Sequence, residues 1–315
     1  MRAYWRVLGA AIPNDLISRS PLPEQPANVK PMPSTDMRSD VSPAHGAEAR
    51  EERSPQRRVA RWRYVVPNAL TMASMLIGLA GISIAMWGDA HQGAWLVVLC
   101  VLLDKLDGTA ARLLKSTSAI GQQLDSFSDF VTFGIAPAFI VWSALSSAPD
   151  TYGDVWSGEI TRWVLVALMA AYVMCTAIRL AKFNVLASVI PDDGPKVFYG
   201  MPSTFAGGLC LVIFLIGIEQ GWDSVVRWTP IAAIALAALM VSNMPLPKLV
   251  VRKSLAFNIF QGLNVAMGAF CGITRLWPEF IFISVTIYAV FGFTWGQIHR
   301  RELMPKTTDL DPYPS

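Results

Sequence analysis

The sequence predicts an all-α, polytopic integral membrane protein with eight transmembrane helices behind a polar N-terminal tail. Three observations predict it. Of 315 residues, 53% are apolar and only 16% are charged, where soluble proteins carry roughly 25% charged residues. The charges are unevenly placed: residues 1–63 hold 18 of the 49, and the other 252 residues share 31. From Val66 onward the chain divides into apolar runs near the ~20 residues that a helix needs to cross hydrocarbon, without the alternation of barrel strands. This composition excludes a soluble globular enzyme, a nucleic-acid binder and a wholly disordered chain.

Residues 1–60 contain eight prolines, from Pro13 to Pro55, among many Ser, Glu and Arg residues. Such a segment buries too little apolar surface to offset its ordering entropy and is expected to be a disordered tail. Its start, Met1–Asn14, is mildly apolar but is broken by Pro13 and lacks a long apolar region with a cleavage site, so no signal peptide is expected. The apolar segments follow in order: Val66–Trp87, Ala94–Leu114, Phe127–Leu145, Trp163–Phe183, Met201–Ile218, Thr229–Met244, Leu255–Ile273 and Pro278–Gln297. The sixth is the shortest, at 16 residues. With no water in the bilayer core to satisfy backbone amides, each span is expected to be helical.

Orientation is read from Lys and Arg. With a cytosolic N-terminus, the inner flanks carry Arg57, Arg58, Arg61, Arg63, Arg112, Lys115, Arg179, Lys182, Lys196, Lys248, Arg252, Lys253, Arg300, Arg301 and Lys306. The outer flanks carry only Arg162, Arg227 and Arg275. Fifteen against three places both termini in the cytosol. Trp87, Trp95, Trp163, Trp228 and Trp277 fall near the outer ends, as an aromatic belt does. Cys100, Cys175, Cys210 and Cys271 lie singly in apolar runs and read as small buried hydrophobes. His45, His91 and His299 form no constellation in the sequence.

Four carboxylates break the apolar pattern. The second segment runs cleanly to Leu103 and then meets Asp104 and Asp107; Asp125 lies just before the third and Asp129 just inside it. One Asp at mid-helix costs roughly 2.5–3.5 kcal/mol to insert, so four of them require a wet cavity, a cation or one another. Asp104 and Asp107 are three apart and Asp125 and Asp129 four apart, so each pair shares a helix face. The short link from Leu113 to Gly121 brings the two pairs together. Four oxygen donors with no His or Cys nearby suit a hard divalent cation, Mg2+ or Mn2+, and have the capacity for two of them. Gly108 and Ala111 leave one helix face bare, either for a ligand or for helix packing. Arg112, one turn on, suits a phosphate.

These residues follow the pattern D-x2-D-G-x2-A-R-x8-G-x3-D-x3-D from Asp104 to Asp129, with all eight defining positions present. The stretch resembles the signature of the CDP-alcohol phosphatidyltransferase family, membrane enzymes that make phospholipid headgroup bonds. The resemblance implies that Asp104 and Asp125 bridge two divalent metals, that Asp107 and Asp129 complete the sites, and that Asp129 is the general base. It implies CDP-diacylglycerol contacts from Gly108, Ala111, Arg112 and Ser118, and from Asn68 and Thr71 of an N-x2-T motif on the first helix. It also implies a six-helix catalytic core over residues 61–245, two added helices over 246–299, a cytosolic tail over 300–315, and an active site that opens to the cytosol from the cell (inner) membrane. The family is often dimeric, so a homodimer is a further implication.

The acceptor alcohol is read from two more stretches. Ile178-Arg179-Leu180-Ala181-Lys182-Phe183-Asn184 and Phe198-Tyr199-Gly200-Met201-Pro202-Ser203 resemble the R-L-A-R-F-N and F-x-G-L-P motifs of the phosphatidylserine synthase branch, departing at Lys182 and Met201. The resemblance implies L-serine as acceptor, with Arg179, Lys182 and Asn184 in its pocket. A guanidinium suits the serine carboxylate. The alternatives at this point are a sister transferase acting on glycerol 3-phosphate, inositol phosphate or choline, and, in a different class, a cation or proton transporter using intramembrane aspartates.

Overall fold

The computed structural model describes residues 55–114, 119–147, 149–152, 154–189, 197–248 and 255–300. The chain divides into two units, 1–58 and 59–315. Of the first, only the helix start at 55–58 is described, so the expected tail over 1–54 and the C-terminal tail beyond residue 300 lie outside the described residues.

Eight helices carry the fold: α1 Pro55–Met86, α2 Ala90–Leu113, α3 from Ala119 to Ser147, α4 Glu159–Val189, α5 Ser203–Glu219, α6 Asp223–Val241, α7 Leu255–Thr274 and α8 Pro278–Ile298. All eight apolar runs are thus helical, and among the described residues five helices are long and apolar enough to cross a membrane. The chain is an all-α polytopic membrane protein.

Several boundaries differ from those expected. α1 begins at Pro55, not Val66, so residues 55–60 are helical rather than tail, and the helix runs through Pro67. Pro67 removes one ladder donor, and its carbonyl lies 3.1 Å from the Thr71 hydroxyl. α6 extends back to Asp223, which brings the short sixth run to 19 residues. α3 starts eight residues early and is interrupted by a π-helical turn over Phe130–Ile135, directly after Asp129. Hydropathy does not register such an insertion, because the residues stay apolar while the ladder widens. Within the turn, the Phe133 carbonyl accepts a 2.8 Å hydrogen bond from the buried Tyr172 hydroxyl of α4.

α5 is the buried centre of the bundle, apolar on every face and packed against α2, α6 and α8. Its Gly207 admits the π-turn: a Cβ there sits 2.6 Å from the Phe133 carbonyl oxygen. Two three-residue strands, β1 Val197–Tyr199 and β2 Pro245–Pro247, pair antiparallel and tie the approach to α5 to the segment after α6. Three-residue strands, one of them beginning and ending in proline, leave no hydropathy period to read, and they were not expected.

The aromatic belt needs one correction. Trp87 is 85% exposed, and Trp163, Trp228 and Trp277 are also exposed, but Trp95 is 1% exposed. Its indole N–H donates to Glu219 at 3.1 Å, and His91 lies 3.1 Å from the same carboxylate oxygen. Trp95 is therefore core, and His91 belongs to a polar cluster after all. His299 stacks on Trp295 and His45 lies outside the described residues. The four cysteines are free, three buried and Cys175 half-buried.

Candidate active site

Three carboxylates converge. Asp104 and Asp107, one turn apart on α2, and Asp125 on α3 each present an oxygen, and these oxygens lie within 4.8 Å of one another. Asp107 is 5% exposed. Three like charges so close, with one buried among helices, repel strongly and lose hydration. Part of the compensation is in place. The Thr71 hydroxyl of α1 lies 2.9 Å from an Asp107 oxygen, and Thr71 is itself held where its carbonyl accepts from Ser128 of α3 at 3.0 Å. The Thr204 hydroxyl of α5 reaches Asp104 at 3.4 Å, and the exposed Lys105 ammonium lies 3.3 Å from the same oxygen. The donor set is oxygen alone and spans about the width of a hard cation's shell, so these side chains fit Mg2+ or Mn2+.

Asp129 lies beside this trio rather than within it. It is one turn beyond Asp125, and its Oδ2 accepts a 3.0 Å hydrogen bond from the Ser203 hydroxyl at the start of α5. Ser203 in turn accepts a 2.9 Å hydrogen bond from Nη1 of Arg179 on α4. Arg179 is 8% exposed, and its guanidinium lies 5.2 Å from the centre of the Phe183 ring. A buried guanidinium so close to carboxylates is a strong local source of attraction for an anionic substrate group.

The other residues singled out from the sequence separate into groups. Asn184 meets Ser126, with its Nδ2 donating to Ser126 Oγ at 3.0 Å, and so braces the turn between Asp125 and Asp129. Lys182 is not brought to the carboxylates. Its ammonium is spent on the end of α6, on the Ser242 carbonyl at 3.0 Å, the Val241 carbonyl at 3.4 Å and the Asn243 side-chain oxygen. Three donors on three acceptors make it a helix-end clasp. Asn68 is half-buried one turn before Thr71, and Gly108 follows Asp107 on α2. Ala111 and Arg112 lie in the last turn of α2, but their side chains, like all of Ser118, lie outside the described residues.

Ser203 and Thr204 were missed by sequence reasoning, although Ser203 closes the F-Y-G-M-P-S stretch. The signal was a pair of hydroxyls directly after Pro202, at a helix start, where the chain enters a buried helix. Their placement depends on Gly200, whose φ is +89° and whose N–H donates to the Met244 carbonyl at 2.9 Å. Met201 N–H then donates to the Leu239 carbonyl at 3.0 Å. Strand pairing and these two bonds lock the start of α5 onto the end of α6.

Fold and site together define an integral membrane enzyme built of helices around an acidic, oxygen-lined centre. The family model described as CDP-alcohol phosphatidyltransferase matches residues 64–244, more than half of the chain. The chain belongs to this family, whose members generally use divalent metals. It is 30% identical over 235 residues to a CDP-diacylglycerol–serine O-phosphatidyltransferase of Mycobacterium bovis, covering 71% of this chain and 75% of that one. A protein of the same name from Bacillus subtilis is 31% identical over 198 residues, 62% of this chain and 97% of that one. An archaetidylserine synthase of Methanothermobacter thermautotrophicus is 29% identical over 185 residues, 58% of this chain and 70% of that one.

Proposed function

We propose that this enzyme transfers the phosphatidyl group of CDP-diacylglycerol to L-serine, giving phosphatidylserine and CMP. The observation that carries the reading is the buried Arg179, one hydroxyl away from Asp129 and beside the three clustered aspartates. The names of the bacterial relatives support the same acceptor.

Asp104, Asp107 and Asp125, with Asp129 completing the set, would hold two divalent cations. Bound there, they would supply charge neutralisation at the pyrophosphate and at the departing CMP. Arg179 binds the serine carboxylate and turns the hydroxyl toward Asp129. Asp129 accepts the hydroxyl proton as the serine oxygen bonds to the phosphorus that carries the diacylglycerol. The bond from that phosphorus to the CMP oxygen breaks, and CMP leaves. Gly108, Ala111, Arg112 and Ser118, with Asn68 and Thr71, contact the CDP-lipid, whose acyl chains lie among membrane lipids. Thr71 also orients Asp107, a role its 2.9 Å contact supports. Asn184 acts on the pocket by bracing Ser126. The site and both termini face the cytosol, which the fifteen inner cations against three outer ones support.

The test is CMP release by the purified protein in detergent with CDP-diacylglycerol and a panel of alcohols: serine, glycerol 3-phosphate, inositol phosphate and choline. Serine-dependent release above all others is the expected result. Release that follows a phosphorylated acceptor instead overturns the serine assignment and leaves the family intact.

A further inference from the structure

We propose that Ser203 is a positioning residue for this reaction: it sets the spacing between the Arg179 guanidinium and the Asp129 carboxylate, and so tunes the site to an acceptor whose carboxylate lies a few atoms from its reacting hydroxyl. The inference rests on the serine-transfer reading above and deepens it.

The geometry is one-directional. A guanidinium can only donate and an ionised carboxylate can only accept, so the single Ser203 proton points to Asp129 and a lone pair receives Arg179. At 2.9 Å and 3.0 Å, both bonds are of ordinary length. The two charged groups are thereby held no more than about 6 Å apart, nitrogen to oxygen. In serine the hydroxyl and carboxylate oxygens are separated by four bonds, roughly 3–4 Å. With one hydrogen bond at each end, serine bridges the pair as a bent link. Its carboxylate meets the cation while its hydroxyl meets the base. An acceptor with its anionic group farther from its hydroxyl has to fold more sharply to meet both groups.

Ser203 is suited to act as a fixed spacer. It is 0% exposed. Its backbone is set by Pro202, by the left-handed Gly200 and by the bonds from Gly200 and Met201 to the end of α6. Arg179 is restrained on its other side by Phe183. The hydroxyl thus links a guanidinium on α4 to a carboxylate on α3 from a fixed position. Were Ser203 merely a partner for a buried arginine, its loss would lower stability without separating the two substrates.

The experiment uses the full chain in detergent, with serine and CDP-diacylglycerol titrated separately and CMP release as readout. Ser203→Ala is expected to raise the KM for serine about ten-fold, the factor that corresponds to losing one charge-assisted bond, and to lower kcat. The KM for CDP-diacylglycerol should stay within two-fold. Ser203→Thr, which restores the hydroxyl, should recover part of the loss. In an Arg179→Ala background the Ser203→Ala change should add less than two-fold to the serine KM, because the link then has nothing to hold. Should Ser203→Ala fail to give a monodisperse protein, Ser203→Cys carries the same comparison. An unchanged serine KM, equal changes in both KM values, or full additivity with Arg179→Ala overturns the proposal. If the parent enzyme releases CMP with another acceptor and not with serine, the serine-transfer reading falls by itself. Ser203→Ala is then measured with that acceptor, and an unchanged KM overturns the positioning role as well.

Discussion

A methyl group on Gly200 tests whether the clasp between α5 and α6 builds the site. Gly200 has φ +89°, and a Cβ there sits 2.4 Å from the Met240 carbonyl oxygen and 2.7 Å from that of Ser242. Two costs add. A left-handed backbone costs a side-chain-bearing residue about 1–2 kcal/mol. Forcing backbone carbonyls apart in a packed region costs about 1–3 kcal/mol more. Gly221 separates the two, because its φ is +66° but a methyl there meets open space. Gly221→Ala should carry the backbone cost alone, lowering Tm by roughly 2–6 °C, and Gly200→Ala should lower it by roughly 5–15 °C. The assay is thermal unfolding in detergent, followed by CMP release at a temperature where both variants remain folded. Gly200→Ala should also lose turnover, since Ser203 and Thr204 start the helix that Gly200 seats; Gly221→Ala should keep it. Equal Tm losses in the two variants, or a Gly200→Ala enzyme with unaltered kcat, would refute the reasoning.

Asp104→Asn and Asp125→Asn should each abolish turnover in a protein that still elutes as a folded species, and chelation by EDTA should silence the parent enzyme until Mg2+ or Mn2+ is restored; more than a few per cent residual activity in either variant at saturating metal counts against a shared cation site. Arg179→Ala should raise the serine KM about ten-fold or more with little change in that for CDP-diacylglycerol, and Arg179→Lys should recover only part, because an ammonium keeps the charge but not the planar fork. Lys182→Met should act differently: stripping three acceptors at the end of α6 of their donor costs about 1–3 kcal/mol, seen as a lower Tm, while the serine KM stays unchanged. A selective rise in that KM would return Lys182 to the serine pocket.

The eight helices were legible because a bilayer leaves a segment of ~20 apolar residues one way to satisfy its amides, and length and hydropathy are local properties. The four aspartates were legible for a related reason. A carboxylate in an apolar run is costly wherever it lies, and i,i+3 and i,i+4 spacings place it on a face without knowledge of the partner helix. Arg179 was singled out differently, by the resemblance of Arg179-Leu180-Ala181-Lys182-Phe183-Asn184 to a family motif, since a cation at a cytosolic helix end is by itself ordinary.

Other features were decided only where distant segments meet. Trp95 reads as an interfacial tryptophan until Glu219, 124 residues away, is found beside its indole. Lys182 reads as a substrate cation until the end of α6 claims all three of its donors. Ser203 is an ordinary helix-start hydroxyl until α3 and α4 bring Asp129 and Arg179 to either side of it. The π-turn after Asp129 leaves no trace in hydropathy, since it changes the ladder and not the polarity of the residues. Composition and periodicity report what each residue needs from its surroundings: burial, a counter-charge, a hydrogen bond. Which atom meets that need is a property of packing between helices far apart in the chain, and that is where the tertiary structure made Arg179, Ser203 and Asp129 neighbours and set the Lys182 ammonium on the end of α6.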